Sequence, residues 1–245
     1  MKVFVLGSYG PSLVNFRGDM IKDFVDNGHQ VIACAPNDDE DIEEKVMNLG
    51  SKYIPIKMER TGMNPIKDIL LLINIIRILK REKPDVFLSY TIKPNIYGSI
   101  AAKLSGVKNI YGMMTGAGSV IRTDSLKLKL VQGFLIPLYK LAFKQCKILF
   151  FLNEDDAALF KKKNIISSKK NIVVIGSSGV NLQHFRKKPL KNQDTFLFIA
   201  RLIRDKGIYE FLNAAKIAKK KRPNMKFKIL GPFDSNPTAI TREEL

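Results

Sequence analysis

Residues 2–35 of the chain, KVFVLGSYGPSLVNFRGDMIKDFVDNGHQVIACA, set a pattern that the rest of the sequence repeats. The apolar run at Lys2–Leu6 is typical of a buried strand, and a loop with two glycines follows it at residues 7–12. Apolar residues then recur at helical spacing through 13–27, and the pattern ends at an Asn-Gly pair, which is common at helix C termini. The second apolar run, Val31–Cys34, predicts another strand. This segment is therefore predicted to fold as strand, helix and strand.

The same alternation continues to the end of the chain. Strands are predicted at residues 53–56, 86–88, 109–111, 148–152, 172–175, 195–200 and 225–230, and helices at 40–49, 65–81, 95–105, 126–145, 155–162 and 208–221. The buried stripe of the helix at 65–81 is predicted to consist of Ile66, Ile69, Leu70, Ile73, Ile76 and Leu79. Strands that alternate with helices favour a mostly parallel sheet with helices on both faces, an α/β fold. Ligands of such sheets bind beyond the carboxyl ends of the strands.

The charge of the chain is strongly basic and unevenly placed. The 245 residues include 41 Lys and Arg against 23 Asp and Glu, which gives a formal net charge of +18. Residues 1–60 carry seven basic and ten acidic side chains, a net charge of −3, whereas residues 61–245 carry 34 and 13, a net charge of +21. This imbalance predicts a polyanionic partner: nucleic acid, an anionic lipid surface or a phosphate-bearing substrate. The alternative explanation is a genome of low GC content, which favours Lys.

Few residues are available for metal or disulfide chemistry. The only cysteines are Cys34 and Cys146, and the only histidines are His29 and His184. This composition predicts neither a disulfide framework nor a metal site, and it fits a reducing compartment. No apolar stretch is as long as a membrane-spanning helix. We therefore expect a cytoplasmic protein without metal or cofactor.

Two loops carry the candidate chemistry. Gly7 and Gly10 follow the first strand but form neither a dinucleotide-binding fingerprint nor a P-loop, so they indicate either a tight turn or a close approach of backbone to a sugar or phosphate. The second loop, residues 201–207, follows an apolar strand and opens a helix. Its Arg201 and Lys206 would lie near a helix N terminus, which favours anions, and could neutralise a diphosphate. The alternative is a solvated turn rich in charge.

Several short segments follow one another along the chain: Phe16-Arg17, GHQV at 28–31, YTIKPNIYG at 90–98, residues 112–118, NEDD at 153–156, GSSGVN at 176–181, and ARL at 200–202 with Lys206-Gly207. In this order they resemble the GT-B glycosyltransferases of family 4, in particular the N-acetylgalactosaminyltransferase-like branch that builds capsules and lipid-linked glycans. The resemblance implies two Rossmann-like domains that face each other across a cleft. It implies transfer of a hexose from a nucleotide sugar to a lipid-linked or polysaccharide acceptor with retention of configuration and, usually, no metal.

The resemblance also implies a division of labour. Residues 1–185 would bind the acceptor, the polar stretch 186–194 would be a linker, and 195–245 would begin the nucleotide-sugar domain. Arg201 and Lys206 would hold the donor diphosphate, and Arg17 and Lys93 would meet a polyprenyl-diphosphate-linked or glycan acceptor. The glycines expected to line the cleft are Gly7, Gly10, Gly116, Gly118 and Gly179.

The end of the chain departs from the family. The family has a pair of glutamates separated by seven residues in its second domain, whereas Glu243 and Glu244 are adjacent. The sequence is therefore expected to be a fragment or the product of a truncated gene, with little transferase activity alone and no catalytic residue that can be named. An incomplete second domain is also expected to expose a sheet edge and apolar faces.

The segment 125–147 alternates lysines with large apolar residues. Its lysines Lys127, Lys129, Lys140 and Lys144 suit an anionic membrane surface, and would place the protein peripherally on the inner face of the cytoplasmic membrane. The alternative is a core helix whose lysines extend from its rim to water.

Two further functions compete with sugar transfer. One is a non-enzymatic remnant that binds membranes or glycans. The other is a nucleic-acid binder, for which the basic residues follow no recognisable motif, so we expect no nucleic-acid partner.

Overall fold

The computed structural model describes residues 1–37, 40–59, 64–122, 126–189, 194–233 and 239–245, without the side chains of residue 119 and residues 126–128. Contacts within the chain divide it into two units, Met1–Phe185 (unit 1) and Arg186–Leu245 (unit 2). Part of the predicted linker, residues 190–193, lies outside the described ranges. The roles expected for the two halves stay predictions.

Unit 1 is built on a parallel sheet of seven strands. They are β1 (Lys2–Leu6), β2 (Gln30–Ala35), β3 (Lys52–Pro55), β4 (Val86–Tyr90), β5 (Asn109–Met114), β6 (Ile148–Phe151) and β7 (Ile172–Val174). Their order is β3-β2-β1-β4-β5-β6-β7, and Val5 of β1 is in register with Ala33 of β2 and Leu88 of β4. The predicted parallel α/β sheet is thus confirmed. Pro55 lies in the edge strand β3, where the missing N–H breaks no ladder hydrogen bond.

Helices cover both faces of this sheet. They are α1 (Pro11–Asn15), α2 (Gly18–Asp26), α3 (Ile42–Met47), α4 (Pro65–Glu82), α5 (Ser99–Leu104), α6 (Gly118–Arg122), α7 (Leu126–Gln145) and α8 (Glu154–Lys162), with a π-helical turn at Pro94–Gly98. Side chains of β1 alternate between the faces because the strand period is two. Val3 and Val5 join a buried cluster with residues of α1 to α3, and Phe4 and Leu6 join one with residues of α4, α5 and α7.

The prediction of one continuous helix at residues 13–27 is wrong, because the chain forms two helices there, α1 and α2. Two residues between α1 and α2 leave the helical region: Phe16 has φ −122° and ψ −16°, and Arg17 has φ −125° and ψ −2°. The break lets the Arg17 side chain be buried, 5% exposed, while Phe16 is 61% exposed. Helical periodicity alone predicts the opposite for Phe16, which it places on the buried face.

The predicted buried stripe of α4 is also mostly wrong. Asn64 caps this helix by accepting hydrogen bonds from the N–H groups of Ile66 and Lys67. The buried apolar residues of α4 are Leu71, Ile75, Ile78 and Leu79, whereas Ile66, Ile69, Leu70 and Ile73 are exposed. The helix is apolar on nearly every side, so spacing alone could not choose the face that packs on the sheet.

Unit 2 is a small strand–helix–strand unit. Its elements are β8 (Thr195–Ile199), a 3₁₀ turn at Arg204–Lys206, α9 (Ile208–Lys221) and β9 (Lys226–Leu230), and β8 pairs with β9 in parallel. Its buried cluster consists of Leu202, Ile208 and Ile240. Phe196, Leu197, Ile199 and Leu230 are exposed on the two strands, which agrees with the apolar faces expected from the sequence.

Candidate functional site

The candidate site of unit 1 lies at the carboxyl edge of its sheet. The strand order reverses between β1 and β4, so the chain leaves these neighbouring strands toward opposite faces. The two loops concerned are Gly7–Gly10 after β1 and Thr91–Lys93 after β4. Such a reversal opens a crevice in a parallel sheet, and this is where ligands of doubly wound folds bind.

Gly7 and Gly10 are packed tightly against protein. A Cβ at Gly7 would lie 2.5 Å from Cζ of Tyr90, and one at Gly10 would lie 2.7 Å from the carbonyl oxygen of Pro36. The absence of a side chain at both positions is therefore explained by how closely the chain approaches itself. That these glycines line a ligand cleft stays a prediction.

Thr91 holds an unusual backbone conformation that the sequence did not reveal. Its φ is +71°, a value that residues other than glycine rarely adopt. Its Oγ1 donates a 2.8 Å hydrogen bond to Oγ of Ser8. The bond ties together the loops that follow β1 and β4. Backbone strain of this kind clusters at functional sites. No residue type in the sequence marks a threonine with positive φ, so pattern analysis had no means to find it.

Arg17 lies inside this corner of the sheet. Its guanidinium is centred 5.0 Å from the ring of Tyr90, and Nη1 donates a 2.8 Å hydrogen bond to the carbonyl of Phe16. Burial lowers the pKa of Arg17, whereas its interaction with Tyr90 acts in the opposite direction. Burial also raises the pKa of Tyr90 to about 12, and Oη of Tyr90 is 2.8 Å from Oγ of Ser12. The assignment of Arg17 to the acceptor stays a prediction.

Lys93 forms a buried ion pair. Its Nζ is 2.7 Å from Oδ1 of Asp68, and the two side chains are 9% and 7% exposed. Tyr97 donates a 2.9 Å hydrogen bond to the other oxygen of Asp68, and burial together with this bond raises the pKa of Tyr97. The charge of Lys93 is thus already balanced by Asp68. A phosphate that bound Lys93 would have to share the ammonium group with that carboxylate.

A pocket of about 980 Å³ opens beside this ion pair. Its wall combines residues 36–37 after β2, residues 55–59 at and after the end of β3, and residues of α4 from Lys67 to Arg77, together with Lys93. The basic side chains in the wall are Lys57, Lys67, Arg77 and Lys93, the acidic ones are Glu59 and Asp68, and the apolar ones include Ile56, Met58, Leu70 and Leu71. Lys67 and Glu59 form an ion pair with each other. Such a lining fits a ligand with both anionic and hydrocarbon parts.

The remaining predicted glycines lie in later loops of the same unit. Gly116 and Gly118 have φ of +151° and +72°, and α6 begins at Gly118. Gly179 has φ of +73°, and its N–H donates to Oγ of Ser177. Nδ2 of Asn181, two residues further on, donates a 3.2 Å hydrogen bond to Asp19 at the start of α2. The positive φ values account for glycine at these positions.

Arg201 and Lys206 lie in one loop of unit 2. Arg201 is exposed and precedes Leu202, which is buried and whose N–H donates to the carbonyl of Pro232. Lys206 is exposed, ends the 3₁₀ turn and precedes Gly207, which caps the N terminus of α9 with φ of +81°. The loop therefore carries both cations between the end of β8 and a 14-residue helix, with Lys206 next to the helix N-cap. Whether they bind a diphosphate stays a prediction.

The side chains that commonly bind metals are scattered. Within the residues that the structure describes, no three His, Cys, Asp or Glu side chains come together as metal ligands would. Cys34 and Cys146 are both buried, and burial raises the pKa of each thiol, to about 11 for Cys146.

A known protein family matches most of unit 1. The family described as glycosyl transferase 4-like matches residues 6–153, which run from the last residue of β1 to just past β6 and include the loops Gly7–Gly10 and Thr91–Lys93. The chain belongs to this family. The resemblance inferred from the sequence is thus confirmed.

Two curated relatives of this family member are named as glycosyltransferases. An N,N'-diacetylbacillosaminyl-diphospho-undecaprenol α-1,3-N-acetylgalactosaminyltransferase from Campylobacter jejuni is 30% identical over 259 residues, which cover 100% of this chain and 67% of the relative. The capsular polysaccharide biosynthesis glycosyltransferase CapM from Staphylococcus aureus is 26% identical over 253 residues, which cover 96% of this chain and 62% of CapM. The chain thus spans about two thirds of the length of these relatives.

Solved structures show the same fold. A glycosyltransferase from Rickettsia africae matches with a TM-score of 0.65 at 16% identity, over 96% of this chain and 62% of that one. Anabaena HepE, in complex with UDP and glucose, matches with a TM-score of 0.64 at 12% identity, over 94% and 60%. A UDP-GlcNAc 2-epimerase from Neisseria meningitidis matches with a TM-score of 0.62 at 18% identity, over 97% and 67%. The GT-B-type fold is thereby confirmed, and its occurrence in epimerases shows that the fold alone does not specify sugar transfer.

Proposed function

We propose that the glycosyl transferase 4-like chain takes part in moving a hexose from a nucleotide-sugar donor to a lipid-linked or polysaccharide acceptor, with retention of configuration. Both curated relatives are named as transferases of glycan assembly, and the C. jejuni relative is named for an acceptor linked to diphospho-undecaprenol. Retention of configuration rests on the family resemblance alone.

The observation that carries the proposal is the pocket at the carboxyl edge of unit 1. Its lining includes Lys93 of the loop after β4, and it offers cations from Lys57 and Arg77 beside apolar side chains from Met58 and Leu70. A polyprenyl-diphosphate-linked acceptor has the matching parts, because its diphosphate is anionic and its lipid is hydrocarbon. We therefore assign acceptor binding to this pocket.

Donor binding is assigned to unit 2. Lys206 ends the 3₁₀ turn just before α9, where backbone N–H groups favour an anion, and Arg201 lies five residues earlier in the same loop. A guanidinium and an ammonium there would bind the donor diphosphate and stabilise the negative charge that develops as it leaves.

Removing either cation should weaken diphosphate binding. We expect Arg201→Ala and Lys206→Ala each to raise the dissociation constant of inorganic diphosphate and of UDP about 10- to 100-fold, since a hydrogen bond to a charged group contributes about 1.5–3 kcal/mol. Isothermal titration calorimetry on the full chain measures this. The matched control is Lys219→Ala with Lys220→Ala, which removes exposed charge from the other end of α9. Unchanged binding in the loop variants, or equal weakening in the control, would contradict the donor assignment.

Helix α7 supports a peripheral attachment to the inner face of the cytoplasmic membrane. One side of it packs on the sheet through Leu135, Tyr139 and Phe143, which are buried. The other side exposes Leu130 (83%), Phe134 (52%) and Leu141 (51%) beside exposed Lys129, Lys140 and Lys144. The side chain of Lys127 lies outside the described residues. Apolar side chains flanked by lysines suit an anionic bilayer surface. In the part of the chain that the structure describes, no helix is long and apolar enough to cross a membrane.

Removing the apolar contacts of α7 should reduce membrane binding. We expect Leu130→Ser with Phe134→Ser to lower co-sedimentation with phosphatidylglycerol vesicles at least tenfold, because full burial of such a side chain is worth about 1.5–3 kcal/mol. The control, Met47→Ser with Leu104→Ser, changes two residues of unit 1 that are similarly exposed outside α7. Equal binding of the unmodified chain to phosphatidylcholine vesicles would remove the electrostatic part of the proposal.

A further inference from the structure

A second pocket of unit 1, of about 530 Å³, lies far along α7 from the carboxyl edge. It is lined by Lys140, Phe143, Lys144, Asn164, Ile165, Ile166, Ser167, Lys169 and Lys170. These residues come from the last two turns of α7 and from the connection between α8 and β7. The pocket therefore opens at the amino edge of the sheet, opposite the proposed acceptor site.

The charge of this pocket is uniform. Four lysines line it, and its described lining contains no carboxylate. Between residues 140 and 170 the acidic side chains are Glu154, Asp155 and Asp156, all in the first turn of α8. That turn is the far end of a nine-residue helix, about 13 Å from the end beside the pocket. Cations grouped in this way repel each other, so an anion bound among them would relieve the repulsion.

The floor and one wall of the pocket are fixed. Phe143, Ile165 and Ile166 are 1%, 2% and 5% exposed, so the floor is apolar and packed into the core. The ammonium group of Lys170 donates to the carbonyl of Cys146, and burial lowers the pKa of Lys170. Asn164, with φ of +53°, turns the chain from α8 into the wall. The backbone N–H groups of Lys169 and Lys170 donate to Oγ and to the carbonyl oxygen of Ser167, which holds the loop in place.

Helix ends account for only part of this arrangement. Helices α7 and α8 both end beside the pocket, and cations are favoured at helix C termini, which explains Lys144 in the last turn of α7. Lys140 lies more than a turn from that end, and Lys169 belongs to the connecting loop. Their presence around the same cavity is an additional feature.

We propose that this pocket binds the phosphate group of an anionic ligand, at a site separate from sugar transfer. The lysines of the rim would pair with the phosphate oxygens, and the apolar floor would contact the organic part of the ligand. A phospholipid headgroup and a soluble phosphate compound share this chemistry. The proposal does not depend on the transfer reaction, because none of its residues lies at the carboxyl edge.

The test uses Lys169→Gln with Lys170→Gln in the full chain. The control is Lys161→Gln with Lys162→Gln, which removes the same charge from exposed positions of α8 that do not line the pocket. Thermal unfolding is followed with inorganic phosphate from 0 to about 20 mM, and co-sedimentation is measured with vesicles of phosphatidylglycerol or phosphatidylcholine. We expect the unmodified chain and the control to respond to phosphate, to phosphatidylglycerol or to both, and the pocket variant to lose at least tenfold in apparent affinity.

Each outcome bears on the proposal. A response to free phosphate that the pocket variant loses supports a soluble ligand, and a loss confined to binding of phosphatidylglycerol vesicles supports a headgroup. Lys169→Arg with Lys170→Arg keeps the charge and should retain binding, which separates loss of a cation from damage to the loop. No response in the unmodified chain, or equal losses in the pocket variant and the control, would overturn the proposal. Diphosphate binding through Arg201 and Lys206 should be unchanged in the pocket variant.

Discussion

Asp68→Ala should destabilise the chain by about 3–5 kcal/mol, because it leaves the ammonium group of Lys93 buried without its carboxylate. Tyr97 would lose its hydrogen-bond acceptor at the same time. The free energy of unfolding can be measured by urea denaturation, followed by far-ultraviolet circular dichroism. The pocket proposed for the acceptor should change shape and charge as well, since Lys93 and Asp68 both line it.

Two further variants separate the buried charge from other causes. Asp26→Ala breaks the ion pair with Lys22, in which both side chains are more than half exposed, and should cost no more than about 1 kcal/mol. Asp68→Leu with Lys93→Met removes both charges and should recover most of the lost stability. If the double variant were as unstable as Asp68→Ala, a role of the uncompensated charge would be excluded.

Gly231→Ala should disrupt unit 2 and, with it, diphosphate binding. A Cβ at Gly231 would lie 2.8 Å from the carbonyl carbon of Ala200 and nearer still to its oxygen. Both partners are backbone, and the N–H groups of Ala200 and Leu202 hold the two segments together through the carbonyls of Leu230 and Pro232. Overpacking typically costs about 1–3 kcal/mol, and more where neighbours cannot move. The small buried cluster of unit 2 offers little stability to absorb that cost.

Hydrogen exchange in peptides of α9 measures this loss directly. We expect Gly231→Ala to abolish protection in α9 while the β1 to β6 sheet of unit 1 stays protected. The control is Gly133→Ala, because a Cβ there would meet nothing within 4 Å and the residue lies inside α7. Unchanged protection and unchanged diphosphate binding in Gly231→Ala would contradict the tight approach of the two segments.

The parallel sheet could be predicted because its strands are short, almost continuously apolar runs, and Pro55 marked an edge. The packed face of α4 could not be predicted in the same way. Ile73 and Ile75 are the same residue type two positions apart, yet Ile75 is buried against the sheet and Ile73 is exposed. Leu and Ile occur on nearly every side of this helix, so the spacing of the apolar residues alone does not single out the packed face.

The site was harder to predict than the sheet. The candidate loops were identified because parallel sheets bind ligands at their carboxyl ends. The pairing of Lys93 with Asp68 was missed, because it joins residues 25 positions apart that no local pattern connects. Thr91 was missed for a different reason: its φ of +71° is imposed by the surrounding loops and not by the residue itself.

The contact between Gly7 and Tyr90 restricts how this protein can diverge. The aromatic ring occupies the space that any side chain at position 7 would need, and its hydroxyl is held by Ser12. A larger residue at position 7 is therefore compatible with the fold only if position 90 shrinks, and that change would release Ser12 and uncover Arg17. Substitutions at positions 7 and 90 should consequently be correlated during evolution. We expect a side chain at position 7 only in relatives that have a smaller residue at position 90.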